Sequence, residues 1–474
     1  MSRIDTLPAP RTGPWLSAVA YVTLLAVGIG AVVLICRTGS DLAGPTAAVS
    51  TAAAKQVDVV LHVMATLVAV ILLGTALGWA CQWVGQPPVI GEVVAGIVLG
   101  PSLLGAVWPD AMHLLIPSAA ADPKGQVPAA IKAVSTIGVV LYMFLVGLEL
   151  NAARLRKQAR SAVAVSHASI VLPFVLGSAL ALALYRGFAP AGVPFASFAL
   201  FMGVAMSITA FPVLARILTD RRMERTELGI VALGCAAADD VTAWCLLALI
   251  VGVAQSELTG VVAVTAEAAA FVALVLLVAR PLVARWSAKV DSTAGPLHPL
   301  VVSGTFLAVL ASAMTTELIG IHALFGAFLL GAVIPHDGRL AREFAAKVKD
   351  PVTVLLLPAF FAYTGMRTQI GLVSTGADWL WVGAIVLVAT AGKFGGATVA
   401  ARLTGQSWRN AAALGALMNT RGLMELIALN IGLDMGVLSP ALFAMMVIMA
   451  LATTAMTSPV IGLLVPNGPS AGRE

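Results

Sequence analysis

Apolar residues along this chain gather into runs of about 20, each long enough to cross a bilayer as a helix. Fourteen such runs stand at 15–36, 59–82, 88–107, 130–149, 160–185, 194–218, 226–254, 260–285, 298–318, 320–335, 351–367, 376–400, 407–432 and 438–466. The tenth and eleventh are short. Hydrocarbon offers no hydrogen bonds to backbone groups, so the pattern predicts an all-α polytopic membrane protein of about 14 transmembrane helices. No long polar segment divides the runs, and no soluble regulatory domain is expected. The membrane region is read as 59–466, preceded over 1–58 by an extra N-terminal helix and a linker. The first run is longer than a signal-peptide core and lacks a small-residue cleavage site, so it counts as a helix. Residues 337–350, with Arg339, Arg342, Lys347 and Lys349 around Phe344, read as a helix or loop on the inner surface.

Basic residues orient the spans. With both termini in the cytoplasm, nineteen of the 28 Lys and Arg residues fall inside and six outside, and Arg216, Lys393 and Arg421 lie within spans. This is the positive-inside bias. At 59% hydrophobic and 11% charged, the composition excludes a soluble enzyme, since soluble domains carry about 25% charged residues. A net charge of +5 gives no reason to expect a nucleic-acid partner. Cys36, Cys81, Cys235 and Cys245 lie in or at the ends of spans without paired spacing, so no disulfide framework, zinc site or cofactor is expected.

Against that background the buried polar residues carry the chemistry. Asp239 and Asp240 stand mid-span in Ala238-Asp239-Asp240-Val241-Thr242. One Asp at a helix centre costs about 2.5–3.5 kcal/mol to insert, which makes it a functional candidate. Neighbours on a helix point about 100° apart, so one acid can face a cavity while the other takes a protein cation. Lys393 is the obvious cation, because a buried lysine without a carboxylate would lose its proton. Arg421 and Glu425 form a second mid-membrane pair at i, i+4. Glu92 and Glu149 sit near span ends, where packing or capping serves as well as transport. His167, Glu267, Glu317 and His322 read as satisfied polar groups.

Two spans are interrupted. Met206-Ser207-Ile208-Thr209-Ala210-Phe211-Pro212 contains a proline that frees the carbonyl of Ile208 for a hydroxyl, water or cation. Asn419-Thr420-Arg421-Gly422 interrupts the thirteenth span at the corresponding place. Short matches pair Ala95–Gly100 with Gly326–Gly331, Met143–Leu148 with Phe361–Met366, and Gly203–Ser207 with Gly415–Asn419, at offsets of 231, 218 and 212 residues. Each offset is seven spans. An odd shift inverts the copy, and broken helices in inverted repeats mark transporter binding sites. The fold expected on this reading is an inverted internal repeat with broken helices in corresponding positions of its two halves.

These stretches, with Gln86-Pro87-Pro88-Val89-Ile90-Gly91-Glu92 and Phe144-Leu145-Val146-Gly147-Leu148-Glu149-Leu150, resemble the cation:proton antiporters of the Kef, GerN and plant CHX group, relatives of NapA and NhaA. The resemblance implies two inverted six-helix repeats, 59–254 and 298–466, joined by 260–285 and carrying crossed broken helices, in a dimeric exchanger whose mobile core is formed here by the fourth to seventh and eleventh to fourteenth spans. It also implies that Asp240 binds the cation and proton while Asp239 pairs with Lys393.

The function expected is exchange of H+ for Na+ or K+ by alternating access, in a cell membrane, with no enzymatic activity. The ion and proton site is assigned to Asp240, Asp239, Thr209 and Ser207, with Lys393 as charge partner. Asn419, Thr420, Arg421 and Glu425 form a polar cluster at the helix breaks marked by Pro212 and Gly422. A gated cation-efflux channel and a proton-coupled exporter of an organic compound are the alternatives.

Overall fold

The computed structural model describes residues 57–149, 159–223, 226–255, 258–293 and 295–465. The helix expected at 15–36 and its linker as far as Gln56 lie outside the described residues. Among those described there is no strand, and nine helices are long and apolar enough to cross a membrane.

The principal elements are α1 (Val59–Trp83), α2 (Pro88–Leu99), α3 (Gln126–Glu149), α4 (Ala159–Phe188), α5 (Phe195–Ser207), α6 (Phe211–Asp220), α7 (Glu227–Gln255), α8 (Leu258–Leu274), α9 (Arg280–Asp291), α10 (Pro299–Ile319), α11 (Ala323–Val333), α12 (Arg339–Asp350), α13 (Leu357–Arg367), α14 (Gly376–Leu403), α15 (Trp408–Met418), α16 (Leu423–Asp434) and α17 (Pro440–Leu464). Local chemistry sets the ends. Thr375 and Asp378 form a reciprocal capping box at the start of α14, and Ser407 caps α15. Wider π-turns at Val275–Ala279 and Pro351–Leu356 each precede a proline, Pro281 and Pro358, whose ring would clash with the carbonyl four residues back in a regular helix. Helix α12 turns Leu340, Ala341, Phe344 and Val348 inward, with Phe344 edge-on to Phe144 of α3.

Apolar side chains gain little by leaving lipid, so close backbone approach through small residues supplies the packing. It sorts the helices into two bundles. In the first, α2 packs on α1 and α13, α3 on α11 and α13, and α10 on α11. Gly147 of α3 and Gly331 of α11 face each other so closely that a methyl on either would strike the other helix's backbone. Gly96 of α2 and Gly365 of α13 do the same. In the second bundle α4 packs on α14, α5 and α7, and α14 on α15 and α17. Gly392 fits against Pro173 there.

This grouping corrects one expectation. The fourth and eleventh spans, α3 and α13, were assigned to the same core as the Asp pair, yet their close crossings join them to α2 and α11 in the first bundle. The second bundle holds α4 to α7 and α14 to α17.

Candidate functional site

Two helix interruptions meet in the second bundle. The chain leaves α5 at Ser207, runs extended through Ile208 to Ala210, and re-enters a helix at Phe211 with Pro212 in its first turn. Proline fits there because first-turn N–H groups have no helical partner. Proline thus produces a full break instead of a kink. The second break runs from Asn419 to Gly422 between α15 and α16. Ala210 N–H donates to Thr420 O at 3.0 Å, tying one break to the other. Gly422 has φ 158° and ψ −126°, and a Cβ there would lie 2.8 Å from Val213 Cγ2. Glycine is required by that approach.

Asp239 and Asp240 reach this junction from α7, and both are buried. Asp239 is heavily partnered. Its Oδ1 accepts Ser166 Oγ at 2.6 Å, and its Oδ2 accepts Thr209 Oγ1 at 2.7 Å, Lys393 Nζ at 2.8 Å and Ser169 Oγ at 3.1 Å. Asp240 is the opposite case. It is 1% exposed, and neither carboxylate oxygen has a hydrogen-bond partner among the described residues. A buried anion without partners is costly by several kcal/mol, so the site favours whatever neutralises it, a proton or a cation.

The carbonyl end of α5 is covered by cations. Arg421 donates to Ala205 O at 3.0 Å and Met206 O at 2.6 Å, and Lys393 donates to Ser207 O. The last carbonyls of a helix lack partners and carry the negative end of its dipole, which two cations compensate. Arg421 also pairs with Glu425 at 2.9 Å, both fully buried. The carbonyl end of α15 has hydroxyls instead, Thr209 Oγ1 being 3.2 Å from Met418 O and Thr457 Oγ1 3.4 Å from Ala416 O. Thr454 exchanges hydrogen bonds with the Arg421 backbone.

The remaining candidates divide. Thr420 contributes its carbonyl to the bridge between the breaks, and its hydroxyl lies 3.4 Å from Thr457 Oγ1. Asn419 is buried, and its Oδ1 has no hydrogen-bond partner among the described residues. The Ser207 hydroxyl donates to Gly203 O and Ile170 O, at 2.7 and 3.0 Å, and not to a carboxylate. A helix carbonyl four residues back captures such a hydroxyl readily. Ser207 meets the cluster through its carbonyl alone. Ser166 and Ser169 were missed, although their i, i+3 spacing on α4 places two hydroxyls on one face.

Two cavities flank the junction at opposite ends of the 24-residue α3. One, of about 510 Å³, is lined by Glu92, Tyr142, Glu149, Arg216 and Lys349, and reaches Pro212, Val213 and Leu423 beside the breaks. The other, of about 700 Å³, is lined by Lys132, Glu317, His322 and Asp434. Beside the second, Asp434 of α16 accepts Lys132 of α3 and Arg367 of α13, both at 2.7 Å, which bridges the two bundles.

The family described as sodium/hydrogen exchanger, transmembrane, matches residues 63–465. The Na(+)/H(+) antiporter NhaS4 of Synechocystis sp. is 41% identical over 411 residues, covering 86% of this chain and 98% of that protein. Cation/H(+) antiporter 17 of Arabidopsis thaliana is 38% identical over 430 residues, covering 89% of this chain and 51% of that protein. The chain thus spans about half the length of that plant relative. The solved sodium proton antiporter MjNhaP1 from Methanocaldococcus jannaschii aligns with a TM-score of 0.62 over 86% of this chain and 98% of that one, at 13% identity, a likeness of fold.

Proposed function

The chain belongs to the sodium/hydrogen exchanger family of multi-pass membrane antiporters, and on that premise we propose that it exchanges H+ for Na+ or K+ by alternating access at Asp239 and Asp240. The observation that carries this reading is the Asp240 carboxylate, buried beside an ion-paired Asp239 at the meeting of two helix breaks and without a hydrogen-bond partner among the described residues. A proton and a monovalent cation compete for it. Asp239 and Lys393 hold the neighbouring charge balanced, and Thr209 fixes Asp239 to the first break. Arg421 and Glu425, with Asn419 and Thr420, keep the second break in register with the first.

In this reading the second bundle moves against the first, and the carboxylate is offered to one cavity and then to the other. The seven-span repeat is then an inverted pair, 59–254 and 298–466, within about 14 spans. In this reading both termini lie in the cytoplasm, which the excess of Lys and Arg on one side supports, and the protein works as a homodimer in a cell membrane. The cavity beside Glu149 and Lys349 then faces inward, and the one beside Lys132 and Asp434 faces outward.

Everted vesicles loaded with a pH-sensitive dye provide the test. Addition of Na+, K+ or Li+ with no imposed potential should produce a pH response that Asp240→Asn abolishes. A wild type that moves no protons with any of the three ions, or an Asp240→Asn variant with full exchange, would sink the proposal.

A further inference from the structure

Glu92 is a carboxylate of the first bundle that neither break uses. It lies in the second turn of α2, in the first bundle, and lines the 510 Å³ cavity together with Pro212, Val213 and Leu423. A capping role fails on position. The cap of α2 is Pro87, which makes no side-chain hydrogen bond, and Glu92 stands beyond the first turn where a carboxylate could reach free N–H groups. A packing role by ion pairing fails on contacts. Lys349 approaches Glu149 at 3.8 Å, Arg216 has an interaction of its own, and Glu92 has no hydrogen bond or ion pair among the described residues.

What remains is a carboxylate facing a space large enough for a hydrated ion. Water occupies about 30 Å³ per molecule in the liquid, so 510 Å³ holds on the order of fifteen waters. Narrow clefts with low-dielectric walls concentrate the field of a charge on their lining and raise the local concentration of counter-ions. The same space touches the first turns of α6 and α16, the segments that follow the two breaks.

We propose that Glu92 is a recruiting subsite for a partly hydrated monovalent cation at the mouth of this cavity, one step before Asp240. This rests on the exchange reading above. Because Glu92 belongs to the first bundle and Asp240 to the second, recruitment acts from one side of the membrane only.

Purified protein in liposomes, assayed separately for each orientation, tests this with Na+ and K+. Glu92→Gln should raise the cation KM several-fold from the cavity side, leave Vmax within about twofold, and leave the KM from the other side unchanged. Glu92→Asp, which keeps the charge, should restore most of the affinity. An unchanged KM in Glu92→Gln, or a loss shared equally by both sides, would overturn the subsite while leaving exchange at Asp240 intact. Should Glu92→Gln not fold, Glu92→Asp decides: wild-type melting temperature with wild-type KM supports the subsite, and a lowered melting temperature overturns it in favour of packing. Absence of exchange in the wild type itself would remove the underlying reading as well.

Discussion

Lys393 Nζ stands 2.8 Å from Asp239 Oδ2 and makes no hydrogen bond to Asp240, although the two acids are adjacent in the chain. The helical rotation between them separates an ion-paired acid from one with no hydrogen-bond partner among the described residues. Removing one member of a buried pair strands the other, at a cost of about 3–5 kcal/mol. Lys393→Ala should therefore lower the melting temperature in detergent sharply. The double variant Lys393→Ala with Asp239→Asn should recover much of that loss, and simple additivity of the two changes would refute the coupling.

Thr209 connects the first break to the same acid. Its hydroxyl bond to a charged acceptor contributes about 1.5–3 kcal/mol. Thr209→Val, nearly the same shape, should lose that amount of stability and most exchange, whereas Thr209→Ser should keep both. Equal behaviour of the two variants in vesicle assays would show that the hydroxyl is not what matters.

Gly422 leaves space that Val213 fills. A methyl there meets Val213 Cγ2 at 2.8 Å and pushes the first turn of α6 away from the second break. Gly422→Ala should reduce exchange strongly with a smaller effect on expression, and Gly422→Ala with Val213→Ala should regain part of the activity.

Asp434 holds α16 to α3 and α13. Lys132, Asp434 and Arg367 are partly exposed, at 49%, 33% and 23%, so each pair contributes at most about 1 kcal/mol. Asp434→Ala should barely move the melting temperature. A cysteine at Thr136, beside the bridge, should nevertheless react faster with a hydrophilic thiol reagent once the bridge is cut.

Asp122 supplies the pH prediction. Its carboxylate accepts N–H bonds from Gln126 at 2.9 Å and Val127 at 2.8 Å, and these hold it below its ordinary value of 3.8. A lowered folded-state value means stabilisation that is present above 3.8 and lost as pH falls through the lower value. The melting-temperature gap between wild type and Asp122→Ala should be constant near neutrality and shrink below about pH 4. A gap independent of pH would refute the assignment.

Nine of the expected spans and both breaks were legible in the sequence because lipid forces long apolar runs and because proline and glycine disclose where a helix stops. Arg421 and Glu425 were legible as a pair because they stand only four positions apart in the chain, although Arg421 lies in the break and Glu425 in the first turn of α16. Ser166, Ser169 and Thr454 were illegible because a serine or threonine in an apolar span can equally bond its own helix, as the Ser207 hydroxyl does. The packing of α3 and α13 in the first bundle departs from the core that the resemblance implied, and nothing in the spacing of residues discloses it. Glycine positions announce a close crossing but not which helix is crossed.

The glycine crossings inside each bundle have a mechanical corollary. Where two backbones touch with no methyl between them, neither helix can yield, so each bundle should bear load as a solid body. Compliance is then confined to the seam that holds both cavities. A stiff apolar compound lodged in the 700 Å³ space should act as a wedge, lowering Vmax while leaving cation KM untouched.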